Sequence, residues 1–216
     1  MEFNVLIGGE GGQGAFSVKL ELTETPTKLN YHFFATKHYM MSRIRGGHNF
    51  HMVRIADRPV HALNGGKWDM IAALDDETEA LHKPDLREGG IFLSREMAKE
   101  IGAESKKLFG DIRSANTALV GCVLAVIGVT PEKMAEAAEP GKAEYLKKGG
   151  DFAVRWGIAG AFPVSAAAGC PVKFDGNQAL AFGALLGGCR FIAGYPMTPA
   201  ISILHYFAGA AQPIAS

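Results

Sequence analysis

The apolar positions open as a continuous run, Val5-Leu6-Ile7, which breaks into Gly8-Gly9-Glu10-Gly11-Gly12-Gln13-Gly14 and resumes at Ala15-Phe16. This pattern describes a buried strand, a tight turn and a helix start. The helix reads poorly beyond its first turns. Val18, Leu20 and Leu22 alternate, Thr23, Thr25 and Thr27 are weak helix formers, and Pro26 would interrupt a ladder. A short or kinked helix ending near Glu24 is expected. Strands follow over Tyr31 to Ala35 and Phe50 to Ala56, with Asp57-Arg58-Pro59 as a turn. Met70 to Leu74 is a short buried strand. Asp76 to His82 has the acid-rich start of a helix, stopped by Pro84. Gly89-Gly90 leads into a strand over Ile91 to Leu93, and Ser94 caps a helix toward Ile101. Asn116 to Ile127 is almost wholly apolar, so a helix packed on both sides is expected, with Thr130-Pro131 opening the next. Lys142 to Lys148 is helix-like, and Gly149-Gly150 is expected to break it. The alternation of strands and helices predicts an α/β domain, three-layer α/β/α, with a mostly parallel or mixed sheet.

Composition narrows the picture. The 216 residues are 48% hydrophobic and 20% charged, enough for one good core, or one core plus a fragment of another. Twenty-two basic side chains balance twenty-two acidic ones. No global field draws nucleic acid or an acidic membrane. Cys122, Cys170 and Cys189 form no C-x-x-C pair, so the chain by itself provides neither a four-thiolate iron–sulfur cluster nor a zinc ribbon. No signal segment opens at Met1 and glycines interrupt the longest apolar stretches. A soluble, cytoplasmic protein is the simplest expectation.

Candidate chemistry concentrates in the first sixty residues. Gly9, Gly11 and Gly14 fit G-x-G-x-x-G, with Gly12 between them; such a loop lets backbone N–H groups meet an anion at a helix N-terminus. The strand that follows ends in Thr36-Lys37-His38, without the acid a dinucleotide's ribose would need. The loop therefore cradles another anion, packs against a partner, or serves only close helix–sheet packing. The second cluster, Lys37 to Asn49, reads as a loop between strands. Its Arg43 and Arg45, beside Gly46-Gly47, put guanidinium forks on pliable backbone, suited to a carboxylate or phosphate. Equally, with Asn49, they could pin a long loop through backbone carbonyls, and His48 stands beside them in the cluster. His48 has no acid or thiolate at metal-binding spacing, and no metal site is expected.

Beyond Pro140 the signal fades into small residues, and Phe162 to Lys173 reads as a linker. A second unit opens at Phe174. Asp175 or Asn177 can cap a helix there, Phe191 to Ala193 is strand-like, and Tyr195 to Pro199 is a rigid turn presenting Thr198 before another helix.

The runs Gly8 to Gly14, Phe34-Ala35-Thr36 and Ser42-Arg43-Ile44-Arg45-Gly46-Gly47-His48-Asn49 together resemble the gamma domain of the 2-oxoacid:ferredoxin oxidoreductases. Val53 to Val60, Asp69 to Asp75, Gly89-Gly90-Ile91 and Asn116 to Leu119 extend the resemblance in order. Gly176-Asn177-Gln178-Ala179 and Tyr195-Pro196-Met197-Thr198-Pro199 resemble the opening of the alpha domain, which binds the pyrimidine side of thiamine diphosphate. The resemblance implies a Rossmann-like gamma domain at 1–161, a linker at 162–173 and the start of an alpha domain at 174–216. It implies oxidative decarboxylation of a 2-oxoacid to an acyl-CoA, with electrons passing to ferredoxin. Thiamine diphosphate would be shared with a beta subunit, coenzyme A would be co-substrate, and iron–sulfur clusters would belong to a partner chain. It places Thr198 near the 2-oxoacid, although Thr198 could instead only cap the next helix. The family's activating glutamate lies farther along the alpha domain than this chain reaches, and His205 is no substitute, so no complete catalytic set is expected. A hetero-oligomer inactive as this chain alone follows. The competing classes are a non-catalytic assembly module and a free-standing nucleotide-binding protein.

Overall fold

The computed structural model describes residues 1–39, 48–63, 65–111, 114–169, 171–198 and 200–210. Its backbone contacts divide into two compact units, Met1–Pro171 and Val172–Ser216.

In the first unit a five-stranded sheet runs in the order β2-β3-β1-β4-β5. Strand β1 (Glu2–Glu10) is central, and its residues 3–9 are buried on both faces, which accounts for their apolar and glycine character with Asn4 as the exception. On one side it pairs antiparallel with β3 (His48–Ala56), Val5 opposite Val53, and β3 pairs antiparallel with β2 (His32–Tyr39). On the other it runs parallel to β4 (Trp68–Ala73), which is parallel to β5 (Leu86–Leu93). The expected mixed sheet is what forms.

One face of the sheet carries α1 (Ala15–Lys28), α3 (Arg95–Phe109) and α4 (Ser114–Val126), with α5 (Pro131–Ala137) and α6 (Ala143–Arg155) behind. The other face carries α2 (Asp76–His82) and the 3-10 turn Lys83–Asp85. Helix α4 has no charged residue and eleven buried ones, because other helices surround it. At one sheet edge a buried polar node replaces apolar packing. Asp69, 3% exposed, accepts from the backbone N–H of Asn4 at 2.6 Å and from its side chain at 3.2 Å, and it pairs with Arg87.

Three expectations for this unit are corrected. Helix α1 does not stop near Glu24 but reaches Lys28 with Pro26 inside it. In the last turn proline forfeits one ladder bond. The Thr23 and Thr27 hydroxyls donate back to the carbonyls of Leu20 and Thr23, and the N–H groups of Leu29 and Tyr31 reach the carbonyl of Pro26. The polar run after Ala35 is not loop at its two ends: Lys37, His38 and Tyr39 belong to β2 and His48 and Asn49 to β3. Edge strands carry exposed charge, so the end of β2 beyond Ala35 looks like a loop by composition. Finally, Gly149-Gly150 does not break α6, which runs to Arg155. These glycines serve close packing: a Cβ at Gly149 would lie 1.8 Å from the Ala118 carbonyl oxygen, and one at Gly121 would lie 2.0 Å from that of Leu146. Helices α4 and α6 meet backbone to backbone.

Residues 162–167 run along this unit. Phe162 and Val164 donate backbone N–H groups to Val126 and Ile127, and the Tyr31 hydroxyl donates to the Val164 carbonyl.

The second unit contains α7 (Gly176–Leu186) and α8 (Ile201–Ala210). Asp175 caps α7 in a capping box with Gln178, as its position suggests. Asn177 donates to the Ser202 hydroxyl at 2.7 Å and ties the helices together. The strand expected over Phe191 to Ala193 does not form: the segment is irregular, with no partner strand in this unit among the described residues.

Candidate functional site

The carboxyl end of β1 turns into α1 through the glycine loop. Gln13 closes the turn: its backbone N–H donates to the Glu10 carbonyl at 3.1 Å, and its side-chain oxygen accepts the Glu10 N–H at 3.0 Å. Gly12 and Gly14 have φ of 101° and 95°, the left-handed region where a side chain is strained. Gly14 has a second constraint, since a Cβ there would lie 2.4 Å from the Asn116 amide. It is also the N-cap of α1, and no side chain caps that end. Uncapped N–H groups at the positive end of a helix favour an anion.

Beside this loop lies a cleft of about 290 Å³, lined by Gln13, Leu74, Arg95, Lys99, Asn116 and Leu119 among others. It opens at the carboxyl ends of the parallel strands β1, β4 and β5, where open α/β sheets hold ligands. Ser94 caps α3 by accepting the Met97 N–H, which sets Arg95 and Lys99 one turn apart on that helix. Arg95 pairs with Asp76. Lys99 pairs with no carboxylate among the described residues. Two cations, two amides and an uncapped helix end are suited to holding a polyanion.

Gly11, Gly12 and Gly14 thus stand together in the loop, and Gly9 is the next-to-last residue of β1. A Cβ at Gly9 would lie 2.8 Å from the Gln13 side-chain oxygen and 3.0 Å from Leu74, so this glycine also serves close approach. His48 and Asn49 face Glu10 and Gly9 across the β1–β3 ladder. His48 does not line the cleft: it is buried on the α2 face, its Nε2 2.9 Å from that of His82. Arg43 and Arg45 lie outside the described residues. Thr198, in the second unit, is exposed and stands three residues before α8. The sequence reading missed Arg95, Lys99 and Asn116 as cleft residues. Position just beyond a buried parallel strand could have flagged Arg95, and Asn116 opens one of the runs that carry the resemblance in sequence; nothing local marks Lys99.

Among the described residues no group of three or more His, Cys, Asp or Glu side chains could hold a metal ion. Cys122 is buried in α4, which pushes its thiol up to about 12. No described helix is long and apolar enough to cross a membrane.

A family model described as pyruvate ferredoxin/flavodoxin oxidoreductase matches residues 4–152. A search of curated protein sequences found no match. Among solved structures, 2-oxoglutarate:ferredoxin oxidoreductase from Magnetococcus marinus, with 2-oxoglutarate, coenzyme A and succinyl-CoA bound, superposes with a TM-score of 0.75 at 21% identity. The match covers 96% of this chain and 41% of that one, so the chain spans well under half of that protein's length. The gamma subunit of a keto/oxoacid ferredoxin oxidoreductase from Geobacter sulfurreducens superposes with a TM-score of 0.58 at 21% identity, over 72% of this chain and 98% of that one. At these identities the likeness concerns the fold.

Proposed function

The chain belongs to the pyruvate ferredoxin/flavodoxin oxidoreductase family, and we propose that it is a gamma-type module followed by the opening of an alpha-type unit. In this reading it works in a hetero-oligomer that oxidatively decarboxylates a 2-oxoacid to an acyl-CoA and passes the electrons to ferredoxin. The observation that carries the reading is the family match over residues 4–152, which span the whole glycine loop and cleft.

Within the complex this chain's share is binding and positioning. Lys99 and Arg95 would hold phosphate groups of coenzyme A beside the glycine loop, with Arg43 and Arg45 as further cations and Asn116 fixing the loop's shape. Thr198 would face the 2-oxoacid. Thiamine diphosphate supplies the carbanion chemistry of such complexes, and its aminopyrimidine needs a carboxylate partner. The residues here do not fit that task. Asp175 is the one acid from Val172 to Ser216, and its carboxylate is committed to the α7 cap. No step of the cofactor's chemistry is routed through this chain; the beta subunit or another segment supplies the acid, and iron–sulfur centres come from a partner.

The test is to co-express the chain with a candidate beta subunit and assay 2-oxoacid- and coenzyme A-dependent viologen reduction under anaerobic conditions. Each charge-assisted contact contributes about 1.5–3 kcal/mol. Lys99→Ala should therefore raise the KM for coenzyme A roughly tenfold or more while leaving that for the 2-oxoacid in place. An unchanged KM in both Lys99→Ala and Arg43→Ala/Arg45→Ala would refute the coenzyme A assignment. A second reading, assembly without ligand binding, is favoured by Phe16 and Leu20, which are 48% and 38% exposed on α1 next to the loop. Under that reading Phe16→Asp dissociates the complex and the cation variants leave catalysis untouched.

A further inference from the structure

On the sheet face opposite the cleft, a chain of polar contacts runs from Asp75 through Thr78, His48 and His82 to Asp85. We propose that His48 and His82 form a proton-operated latch that fixes the root of the glycine loop to α2, closed while the pair holds at most one added proton and opened by a second.

The hydrogen positions follow from the geometry. Asp75 is the N-cap of α2, and its Oδ1 accepts both the backbone N–H of Thr78 at 2.8 Å and the Thr78 hydroxyl at 2.6 Å. With that proton committed, the hydroxyl oxygen offers lone pairs to Nδ1 of His48, 3.5 Å away. Nδ1 of His48 therefore carries the hydrogen, and its Nε2 is an acceptor. The 2.9 Å contact between the two Nε2 atoms then requires His82 to donate. Nδ1 of His82 faces a carboxylate oxygen of Asp85 at 3.8 Å.

A first added proton settles on Nδ1 of His82, beside Asp85, and leaves the Nε2 bond intact. A second has only Nε2 of His48 to occupy. It would set two N–H groups head to head and place an imidazolium on a residue that is 2% exposed, so the pair must separate. Among the described residues, the surroundings do not rescue it. Phe50 packs on both rings, with centroids 5.4 Å from His48 and 4.6 Å from His82, and its far contact, His38 of β2 at 4.7 Å, adds positive charge when protonated. Glu79 of α2 is engaged by Lys83 of the 3-10 turn at 3.0 Å, and Lys83 lies over Phe92. Glu10 of β1 is exposed. Asp69 sits at the other end of β4 with Asn4 and Arg87. Burial and the neighbouring His48 hold His82 below the usual histidine range, in keeping with a closed neutral pair.

The latch reaches the glycine loop through two contacts. Gly8 backs onto Thr78 so closely that a Cβ there would lie 2.5 Å from its methyl carbon, and Glu10 pairs with His48 across the ladder. Opening the pair releases α2 from the end of β1 where the loop begins.

The experiment is amide hydrogen exchange on the full chain at pH 7.5 and 4.5, corrected for intrinsic rates, in wild type and in His82→Gln. The glutamine amide can donate to His48 but cannot titrate. Wild type is expected to lose protection at least tenfold in residues 8–10, 48–50 and α2 at the lower pH, and His82→Gln is expected to lose much less. Any opening caused by His51 or by general acid loosening occurs in both proteins, so equal losses overturn the proposal, as does unchanged protection in wild type. A nitrogen-detected imidazole spectrum at pH 7.5 decides the tautomers independently of the variant. Hydrogen on Nε2 of His48 would also overturn it.

Discussion

Gly149→Ala separates two opposed effects cleanly. Helix propensity says that alanine inside α6 should stabilise the protein by about 1 kcal/mol. The structure says the reverse. The new methyl would stand 1.8 Å from the Ala118 carbonyl oxygen, with Cys122 N at 2.7 Å, both backbone atoms of α4. That is about 1.5 Å or more short of ordinary van der Waals contact. Backbone cannot rotate aside, so α6 must retreat from α4 and loosen the packing of Leu146, Phe152 and Ala153 with it. Overpacking of this kind costs roughly 3 kcal/mol, at the upper end of the usual range, leaving about 2 kcal/mol of net destabilisation after the propensity gain. For a unit of this size that is a fall in Tm of about 4–8 °C. Gly150→Ala is the internal control, because its methyl would meet only Met134 at 3.7 Å and Ala125 at 4.0 Å. It should raise Tm by about 2–4 °C. Trp68 and Trp156, the chain's two tryptophans, both lie in the first unit, so fluorescence melts report on this interface and not on α7 and α8. Gly149→Ala melting at or above wild type would refute the close-packing argument.

Further outcomes follow from the same structure. His51 is 1% exposed, and burial, then Lys19 and Lys37, lower its pKa to about 4. Because the unfolded chain binds that proton near pH 6.5, its contribution to stability is intact above that pH and is lost toward pH 4, about 1.4 kcal/mol per unit and roughly 3 in all. Urea titrations at pH 7, 5.5 and 4.5 should show this slope, and His51→Phe should reduce it by one proton; an unchanged slope would exclude His51 as its source. Asp69→Ala leaves the Asn4 N–H and Arg87 without their acceptor and should cost about 3 kcal/mol, read as a lower urea midpoint at constant m. Gly14→Ala meets both a left-handed φ and the Asn116 amide, and should cost at least 1–3 kcal/mol by thermal melt, more than Gly12→Ala, which meets open space. Cys122 should resist a thiol alkylating reagent in the native chain and react on unfolding, whereas the partly exposed Cys189 labels readily by peptide mass spectrometry.

The sequence by itself determined the elements whose signals are local. The apolar run before Gly8 made β1, the acids from Asp76 made α2, the apolar stretch from Asn116 made an interior helix, and Asp175, one of two candidate caps, capped α7. The glycine loop was legible for the same reason, since a positive φ at Gly12 and Gly14 is a property of single residues. Tertiary structure decided what depends on neighbours far along the chain. Gly149 sits inside a helix because α4 lies too close for any side chain there, Pro26 was tolerated because the helix ends just beyond it, and the polar end of β2 became strand because β3 supplied its ladder. Phe191 to Ala193, equally strand-like in composition, found no ladder and stayed irregular. Lys99 as a cleft residue, the cleft position of Asn116 and the pairing of the two histidines were invisible for one shared reason. His48 and His82 are thirty-four positions apart, and only the packing of α2 on the end of β3 brings their rings within a hydrogen bond.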